Sequence, residues 1–177
     1  MWSSEIVNKA LFFANAHHKG QTMKNPPDMP YSSHFVGVCL TAINYAQLMK
    51  DEINWELLVC CALLHDTIED TDATYEEVKE NFGQAIADGV LALTKDEKVE
   101  QSQQMADSLS RIKKQPKEVA IVKLSDRMFN LRDKVPSWSP EKIKSYQKEG
   151  QLICDALGDV FPKMKSDLQN IIDHYLD

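Results

Sequence analysis

The sequence lacks a long hydrophobic run. Its longest apolar stretch, residues 57–64, is far shorter than the about 20 residues that a membrane-spanning helix needs. The first residues also lack the basic start and the apolar segment of a secretory signal. We therefore expect a protein that does not enter a membrane and acts in the cytoplasm.

Cysteine pairs with a recognisable spacing are missing as well. Cys60 and Cys61 are adjacent, Cys39 and Cys154 lie far from them, and no CxxC motif occurs. A structural zinc site of the usual spacing or a redox pair is therefore not indicated. We expect all four cysteines to be buried thiols.

The chain has no excess of positive charge, since its formal net charge is −7. Proteins that grip the backbone of a nucleic acid need a basic face, so nucleic acid is not an expected partner. A small phosphorylated ligand remains compatible with this charge, provided that it meets a local cluster of cations. The charge therefore leaves a small-molecule substrate possible as the partner.

Strand-like alternation is rare, whereas apolar residues recur at helical spacing along most of the 177 residues. The pattern predicts an all-α protein, and the length favours one domain over residues 1–177. The proline-rich segment Gln21–Pro30 is expected to be an exposed connection. The predicted helices run from Ser3 or Ser4 to His18, from Ser32 or Ser33 to Leu48, from an Asn54 cap through Leu64, and over Thr74–Asn81, Gln84–Leu93, Glu100–Lys114, Pro116–Asp133, Pro140–Leu157 and Pro162–Tyr175.

The third predicted helix has no polar face and leads directly into His65 and Asp66. A carboxylate at the end of a buried helix is costly unless it is paired or bound to a metal. Imidazole and carboxylate together suit a first-row divalent cation such as Mn²⁺. Taken alone, the same dipeptide is also compatible with a capping or surface pair.

Two further candidate ligands stand in helical contexts of their own. His34 opens the second predicted helix, and Asp126 lies among apolar residues of the helix predicted from Pro116. Each also has a simpler interpretation. His34 could be a core or helix-start histidine, and Asp126 could form a salt bridge with Lys123 or Arg127.

Glu69 and Asp70 follow the His65-Asp66 pair by four residues each, so both carboxylates would lie beside that pair if the helix continues. Carboxylates near a metal can give or take the proton that hydrolysis requires. The alternative is an acidic, solvated helix end. Asn130 follows Asp126 at the same spacing.

Five strings, in chain order, resemble the hydrolase domain of the Rel/SpoT family. The resemblance covers essentially the whole chain and is greatest to the single-domain alarmone hydrolases of that family. The two blocks containing HDTIEDT and KLSDRMFNLRD are the specific ones. The strings are AHHKGQTMKN, PYSSH, ALLHDTIEDTDAT, FGQAIADGV and VKLSDRMFNLRD.

The resemblance implies an all-α HD-domain bundle and a pyrophosphohydrolase of ppGpp that removes its 3′-pyrophosphate. It implies no synthetase activity, because nothing in the sequence resembles a nucleotide-synthesising site. It also implies Glu69 and Asp70 in the catalytic step. The implied cofactor is Mn²⁺, held by His34, His65, Asp66 and Asp126.

The resemblance also implies substrate contacts. Asn130 and Lys24 match family positions near the nucleotide, while Lys142 and Tyr146 lie in the string WSPEKIKSYQ, which resembles a segment on the phosphate side. For that string a simple amphipathic helix is an equally good interpretation. The family has an Arg-Lys pair where this chain has Met23 and Lys24. A methionine can supply apolar contact but not the stacking or the forked hydrogen bonds of an arginine.

Two other functions remain open at this point. One is an HD phosphohydrolase of another phosphorylated nucleotide, for example NADPH or a 3′-phosphorylated nucleotide, which Met23 favours. The other is a catalytically silent HD domain that senses a nucleotide, although every candidate metal and acid residue is present. His17 and His18 are assigned to structure or to the surroundings of the metal site, and His174 has no predicted role.

Overall fold

The computed structural model describes residues 3–176, and most of them lie in α-helices, as the sequence predicted. The helices pack as a bundle, and a 3₁₀ turn at Gly158–Val160 joins the last two. Nowhere in residues 3–176 is a helix long and apolar enough to cross a membrane. The helices are α1 (Ser4–His17), α2 (Ser32–Ala46), α3 (Trp55–Leu64), α4 (Thr67–Asp70), α5 (Tyr75–Phe82), α6 (Gln84–Leu93), α7 (Gln104–Ile112), α8 (Lys117–Asn130), α9 (Pro140–Leu157) and α10 (Pro162–Asp173).

Helix α3 lies at the centre of the bundle. Every residue from Leu57 to Leu64 is buried, and the helix packs against α1, α2, α6 and α8. A helix that is apolar all round is stable only where other elements surround it. The side-chain oxygen of Asn54 accepts a hydrogen bond from the amide of Leu57 at 3.1 Å, so the predicted cap is confirmed.

The end of α3 is set by side chains that bind its carbonyl oxygens. Nδ1 of His65 donates to the carbonyl of Ala62 at 2.9 Å, and the Thr67 hydroxyl donates to the carbonyl of Leu64 at 2.7 Å. Such bonds compete with the amides that would prolong a helix. The chain therefore turns at His65 and Asp66 and resumes as the short helix α4. The placement of the two acidic residues after this pair was predicted on the condition that the helix continues, and that condition is not met.

Residues 22–30 form a β-hairpin where we expected an irregular connection. Strand β1 (Thr22–Lys24) pairs antiparallel with β2 (Pro27–Pro30), across a turn that contains a cis Asn25–Pro26 peptide bond. Proline lacks an amide hydrogen and is confined to sheet edges, so this segment carries no alternating pattern that would predict strands. Most of the hairpin is exposed, as expected.

All four cysteines are free and buried, as predicted. Burial raises the pKa of Cys39 to about 11. Burial, with the nearby charge of Glu56, raises the pKa of Cys60 to about 12. These two thiols therefore remain protonated near neutral pH.

Gly37 allows α2 and α8 to approach closely beside the candidate ligand His34. A Cβ atom at Gly37 would overlap the ring of Phe129. The same ring meets the imidazole of His34 edge-on, with a centroid distance of 5.3 Å and an interplanar angle of 72°. Because Gly37 has no side chain, the Phe129 ring can lie at this position beside His34.

We predict that Gly37→Ala lowers the free energy of unfolding by about 1–3 kcal/mol, the usual cost of overpacking. The gain of roughly 0.5–1 kcal/mol that alanine brings inside a helix would only partly offset this cost. Urea unfolding followed by circular dichroism measures the change. Leu40→Ala, on the exposed face of the same helix, is the control and should stay within about 0.5 kcal/mol of wild type. An unchanged midpoint for Gly37→Ala would show that Phe129 moves aside freely.

Candidate active site

Two buried histidines from different helices face each other. His34 lies in the first turn of α2, His65 follows the end of α3, and their Nε2 atoms are 3.1 Å apart. Because Nδ1 of His65 donates to a backbone carbonyl, its Nε2 atom is an acceptor whenever the ring is neutral. At this separation the two Nε2 atoms need a shared proton or a cation between them.

Asp66 faces the same point. Its Oδ2 atom lies 3.2 Å from Nε2 of His34 and 3.0 Å from Nε2 of His65. The three side chains offer ligand atoms that all lie within 4.8 Å of one another. This nitrogen and oxygen set suits a first-row divalent cation better than calcium or magnesium, which prefer oxygen ligands. The three residues thus form a possible metal-binding group.

Asp126 approaches this group from α8. Its Oδ1 atom lies 3.6 Å from Nε2 of His34 and 3.8 Å from Nε2 of His65. The same oxygen accepts a bond of 2.5 Å from Nδ2 of Asn130, while Oδ2 lies 3.4 Å from the ammonium of Lys123. The salt bridge considered from the sequence is therefore present, together with the approach to the imidazoles.

The opposite charges in this cluster shift the pKa values of their neighbours toward the charged forms. Burial disfavours the charged form of His65, but Asp66 and Asp126 outweigh it and raise its pKa to about 10. Burial likewise opposes the charge of Asp126, but Lys123 and His65 lower its pKa below the ordinary value. Burial would raise the pKa of Asp66, but both histidines outweigh this effect and hold the pKa well below its usual value. The site keeps two carboxylates ionised and favours added positive charge between them.

Glu69 and Asp70 lie in different surroundings, although they are adjacent in sequence. The two carboxylate oxygens of Glu69 accept bonds from the amide of Lys95 at 2.9 Å and from its ammonium at 3.2 Å. Within residues 3–176, the one hydrogen bond to the carboxylate of Asp70 is a long contact of 3.5 Å from the hydroxyl of Tyr31. Burial and the negative charges of Asp66 and Glu69 raise the pKa of Asp70. Glu69 is therefore fixed by a cation, whereas Asp70 is the freer carboxylate.

A cavity of about 820 Å³ opens onto this cluster. It contains six basic side chains among its lining residues, although the whole chain is acidic. These basic residues could contact the phosphates of a small anionic ligand. Met23 lines the cavity too. The four residues that the sequence assigned to substrate contact all line it, namely Lys24, Asn130, Lys142 and Tyr146.

One wall of the cavity contains two adjacent aromatic rings, each of which contacts a cation. The ammonium of Lys142 lies 4.6 Å from the centroid of the Trp138 ring, which meets the Tyr146 ring edge-on at 4.9 Å. The guanidinium of Arg127 lies 4.1 Å from the centroid of Tyr146 on the far side. Arg127 is buried and also approaches Glu149 at 3.3 Å. The segment considered as a simple amphipathic helix therefore contributes Lys142 and Tyr146 to the cavity.

Several residues of the cavity were not identified from the sequence. Lys95 belongs to a polar segment without periodicity, and only the fold brings it to Glu69. Arg127 was considered only as a salt-bridge partner of Asp126, yet its nearest carboxylate partner is Glu149. A basic residue inside an otherwise apolar helix was the signal available for it. Tyr31 had a weaker signal, its place directly before the helix that contains His34.

The remaining histidines occupy three different environments. His17 bonds through Nδ1 to Asp72 at 2.8 Å and so connects α1 to the acidic segment after α4. His18 is buried and stacks on Tyr31 with a centroid distance of 4.6 Å. His174 is exposed after α10 and bonds to the carbonyl of Asn170.

A buried histidine–aspartate pair at the end of the central helix of a bundle is the arrangement that defines an HD domain. The chain belongs to the HD-domain family, because the family model described as "HD domain" matches residues 10–158. The all-α HD fold expected from the Rel/SpoT resemblance is confirmed.

Named relatives agree with this assignment. The chain is 29% identical over 176 residues to guanosine-3′,5′-bis(diphosphate) 3′-pyrophosphohydrolase MESH1 of Danio rerio, covering 96% of this chain and 93% of that protein. It is 31% identical over 147 residues to MESH1 of Xenopus tropicalis, covering 80% and 78%. The solved structure of a metazoan ortholog of SpoT, a protein that hydrolyses ppGpp, matches with a TM-score of 0.84 and 26% identity, covering 98% of this chain and 97% of that one.

Proposed function

We propose that this chain, as one HD hydrolase domain over residues 1–177, removes the 3′-pyrophosphate of ppGpp in a metal-dependent reaction that leaves GDP and pyrophosphate. The observation that carries the proposal is the histidine–carboxylate cluster, which faces a cavity of about 820 Å³ that is lined by six basic and six acidic side chains. The likeness to MESH1 proteins over nearly the whole chain supports ppGpp as the substrate.

The metal of the proposed site is Mn²⁺, with His34, His65, Asp66 and Asp126 as its ligands. The donor set supports it, since two imidazole nitrogens and two carboxylates suit a first-row divalent ion. Such a metal, when bound, lowers the pKa of water and offsets negative charge on a phosphoryl group. Asn130 orients the Asp126 carboxylate through its 2.5 Å hydrogen bond.

Proton transfer falls to the two acidic residues of α4. Asp70 faces the cavity with a raised pKa, so it is suited to hold a proton and release it to the leaving group. Glu69 is held at a fixed position by Lys95. This position suits it to orient the attacking water or to accept a proton from that water. The basic residues Lys24 and Lys142 bind phosphate groups at the cavity wall.

Met23 supports a second class of substrate. Met23 lines the cavity at the position where the related family has arginine, so the nucleobase meets an apolar side chain there. This favours a site whose base contacts are weaker or differently selective. The second candidate is therefore the hydrolysis of another phosphorylated nucleotide by the same centre, such as NADPH or a 3′-phosphorylated nucleotide.

We predict that the purified protein binds about one Mn²⁺ per chain, and that His65→Ala and Asp126→Ala each abolish this binding. The reason is that both side chains present donor atoms to the same buried point. Elemental analysis after gel filtration measures the metal content, and circular dichroism checks that each variant keeps its helices. His174→Ala and Asp51→Ala, both at exposed positions, are matched controls that should retain the metal. Full occupancy in both site variants would refute the ligand assignment.

Replacing Glu69 by glutamine should leave the metal content unchanged and reduce kcat by about 10²-fold or more, as for loss of a proton-transfer group. The substitution keeps the size of the side chain but removes its charge. Initial rates of pyrophosphate release at saturating ppGpp give the effect, and Glu80→Gln on the exposed face of α5 is the control. An unaltered kcat with bound Mn²⁺ would mean that Glu69 has only a structural role.

Restoring an arginine at position 23 should lower KM for ppGpp by about tenfold, or roughly 1–2 kcal/mol for a stacked or forked guanidinium contact. The kcat should stay nearly constant, because the new contact is made to a part of the substrate that does not react. Met29→Arg provides a matched control, since Met29 lies on the other strand of the hairpin and outside the cavity lining.

The same assay separates the two substrate classes. Wild type and Met23→Arg are each offered ppGpp, 3′-phosphorylated adenine nucleotides and NADPH, and the release of pyrophosphate and of phosphate is followed separately. Turnover of ppGpp with a lower KM in Met23→Arg would support the alarmone substrate. Wild type that ignores ppGpp but hydrolyses another nucleotide of the panel would overturn that substrate and leave the HD phosphohydrolase intact.

A further inference from the structure

One end of the β-hairpin is hydrogen-bonded to Asp70 in α4, and the other end to Asp66 in the turn before it. Gln21 precedes β1, Tyr31 follows β2, and the amide of Tyr31 donates to the carbonyl of Gln21 at 3.1 Å. From this closed base, Nε2 of Gln21 donates to the carbonyl of Asp70 at 2.8 Å. The Tyr31 hydroxyl donates to Oδ2 of Asp66 at 2.6 Å. The element that carries Met23 and the element that carries the metal ligands are therefore joined directly.

The direction of the Tyr31 hydroxyl is set by packing. Its ring stacks on the buried His18 imidazole, with centroids 4.6 Å apart and planes inclined by 25°. His18 is fixed in turn by a bond of 2.8 Å between its Nδ1 atom and Oε1 of Gln21. The ring of His34 also contacts Tyr31, with a centroid distance of 5.1 Å. The hydroxyl therefore has little freedom to turn away from Asp66.

The oxygen that accepts this bond is the one that faces both imidazoles. Oδ2 of Asp66 lies within 3.2 Å of Nε2 of His34 and within 3.0 Å of Nε2 of His65. A donor placed on a ligand carboxylate restricts its rotation and so prepares it for the metal. We propose that Tyr31 is the positioning residue for Asp66 and couples the hairpin to the metal centre.

Two consequences follow from this geometry. The loss of an outer hydrogen bond to a metal ligand typically weakens metal binding about 10–100-fold. Coupling between two sites is also reciprocal, so metal that fixes Asp66 should in turn steady the hairpin through Tyr31. The inference rests on the metal centre proposed above and is independent of which nucleotide is hydrolysed.

The first test compares Tyr31→Phe with Tyr45→Phe by calorimetric titration of the full chain with Mn²⁺ and by visible absorption with Co²⁺. Tyr45 is a matched control, because its hydroxyl donates to Oδ2 of Asp167 at 2.8 Å in another part of the bundle. Tyr31→Phe keeps the ring that stacks on His18 and loses only the hydroxyl. We expect its Kd for Mn²⁺ to rise about 10–100-fold with an altered Co²⁺ spectrum, whereas Tyr45→Phe should match wild type.

The second test measures hydrogen exchange in residues 21–31 with and without Mn²⁺. Wild type and Tyr45→Phe should exchange more slowly in this segment when the metal binds. Tyr31→Phe, measured at Mn²⁺ concentrations that saturate it, should lose that difference. A helical circular dichroism spectrum and a metal-free Tm close to those of wild type would exclude general unfolding as the cause.

The outcomes separate this inference from the proposed function. Equal Mn²⁺ affinity in wild type and Tyr31→Phe would overturn the positioning role of Tyr31. Metal-induced protection of the hairpin that persists in Tyr31→Phe would overturn the coupling. Failure of wild type to bind any divalent metal would overturn both the metal centre and this inference. Failure to hydrolyse ppGpp, with the metal effects present, would affect only the proposed substrate.

Discussion

The arrangement of this protein depends on a cluster of opposite charges in its interior. Two imidazoles, delivered by α2 and by the turn after α3, each lie within about 4 Å of two carboxylates, one from the same turn and one from α8. Each group would be costly to bury alone, and each lowers the cost of its neighbours. The apolar helices bury His34, His65 and Asp126, whereas Asp66 is partly exposed to the cavity. The cluster in turn connects α2, the end of α3 and α8.

The fold was largely predictable because helical periodicity is strong in this sequence. The buried helix that ends before His65, its Asn54 cap and the helices on either side follow from local patterns that need no distant partner. The hairpin was missed because its prolines remove the alternation that indicates strands. The break before α4 was missed because the hydroxyl of Thr67 and Nδ1 of His65 take carbonyls that a helix would otherwise use. Such competition is decided by side-chain geometry and leaves no periodic trace.

The candidate site likewise contains some residues that the sequence predicted and others that it could not predict. His34, His65, Asp66 and Asp126 stand out in sequence because ionisable residues interrupt apolar surroundings, and the structure brings them together. The difference between Glu69 and Asp70 could not be read from the sequence, since it depends on Lys95, 26 residues further along the chain. Likewise Tyr146 becomes part of a wall of rings and cations only when α8 and α9 pack together. Contacts between residues far apart in sequence are set by packing.

The burial of every cysteine has a consequence for how the molecule responds to its environment. Cys39, Cys60, Cys61 and Cys154 are enclosed in the bundle, and burial raises the pKa of each, so the folded chain holds its thiols in the protonated form that reacts slowly with an oxidant or an alkylating reagent. Chemical modification of these sulfurs must wait until the helices separate. A thiol reagent added to this protein therefore labels the molecules that have unfolded, whereas folded molecules stay unmodified.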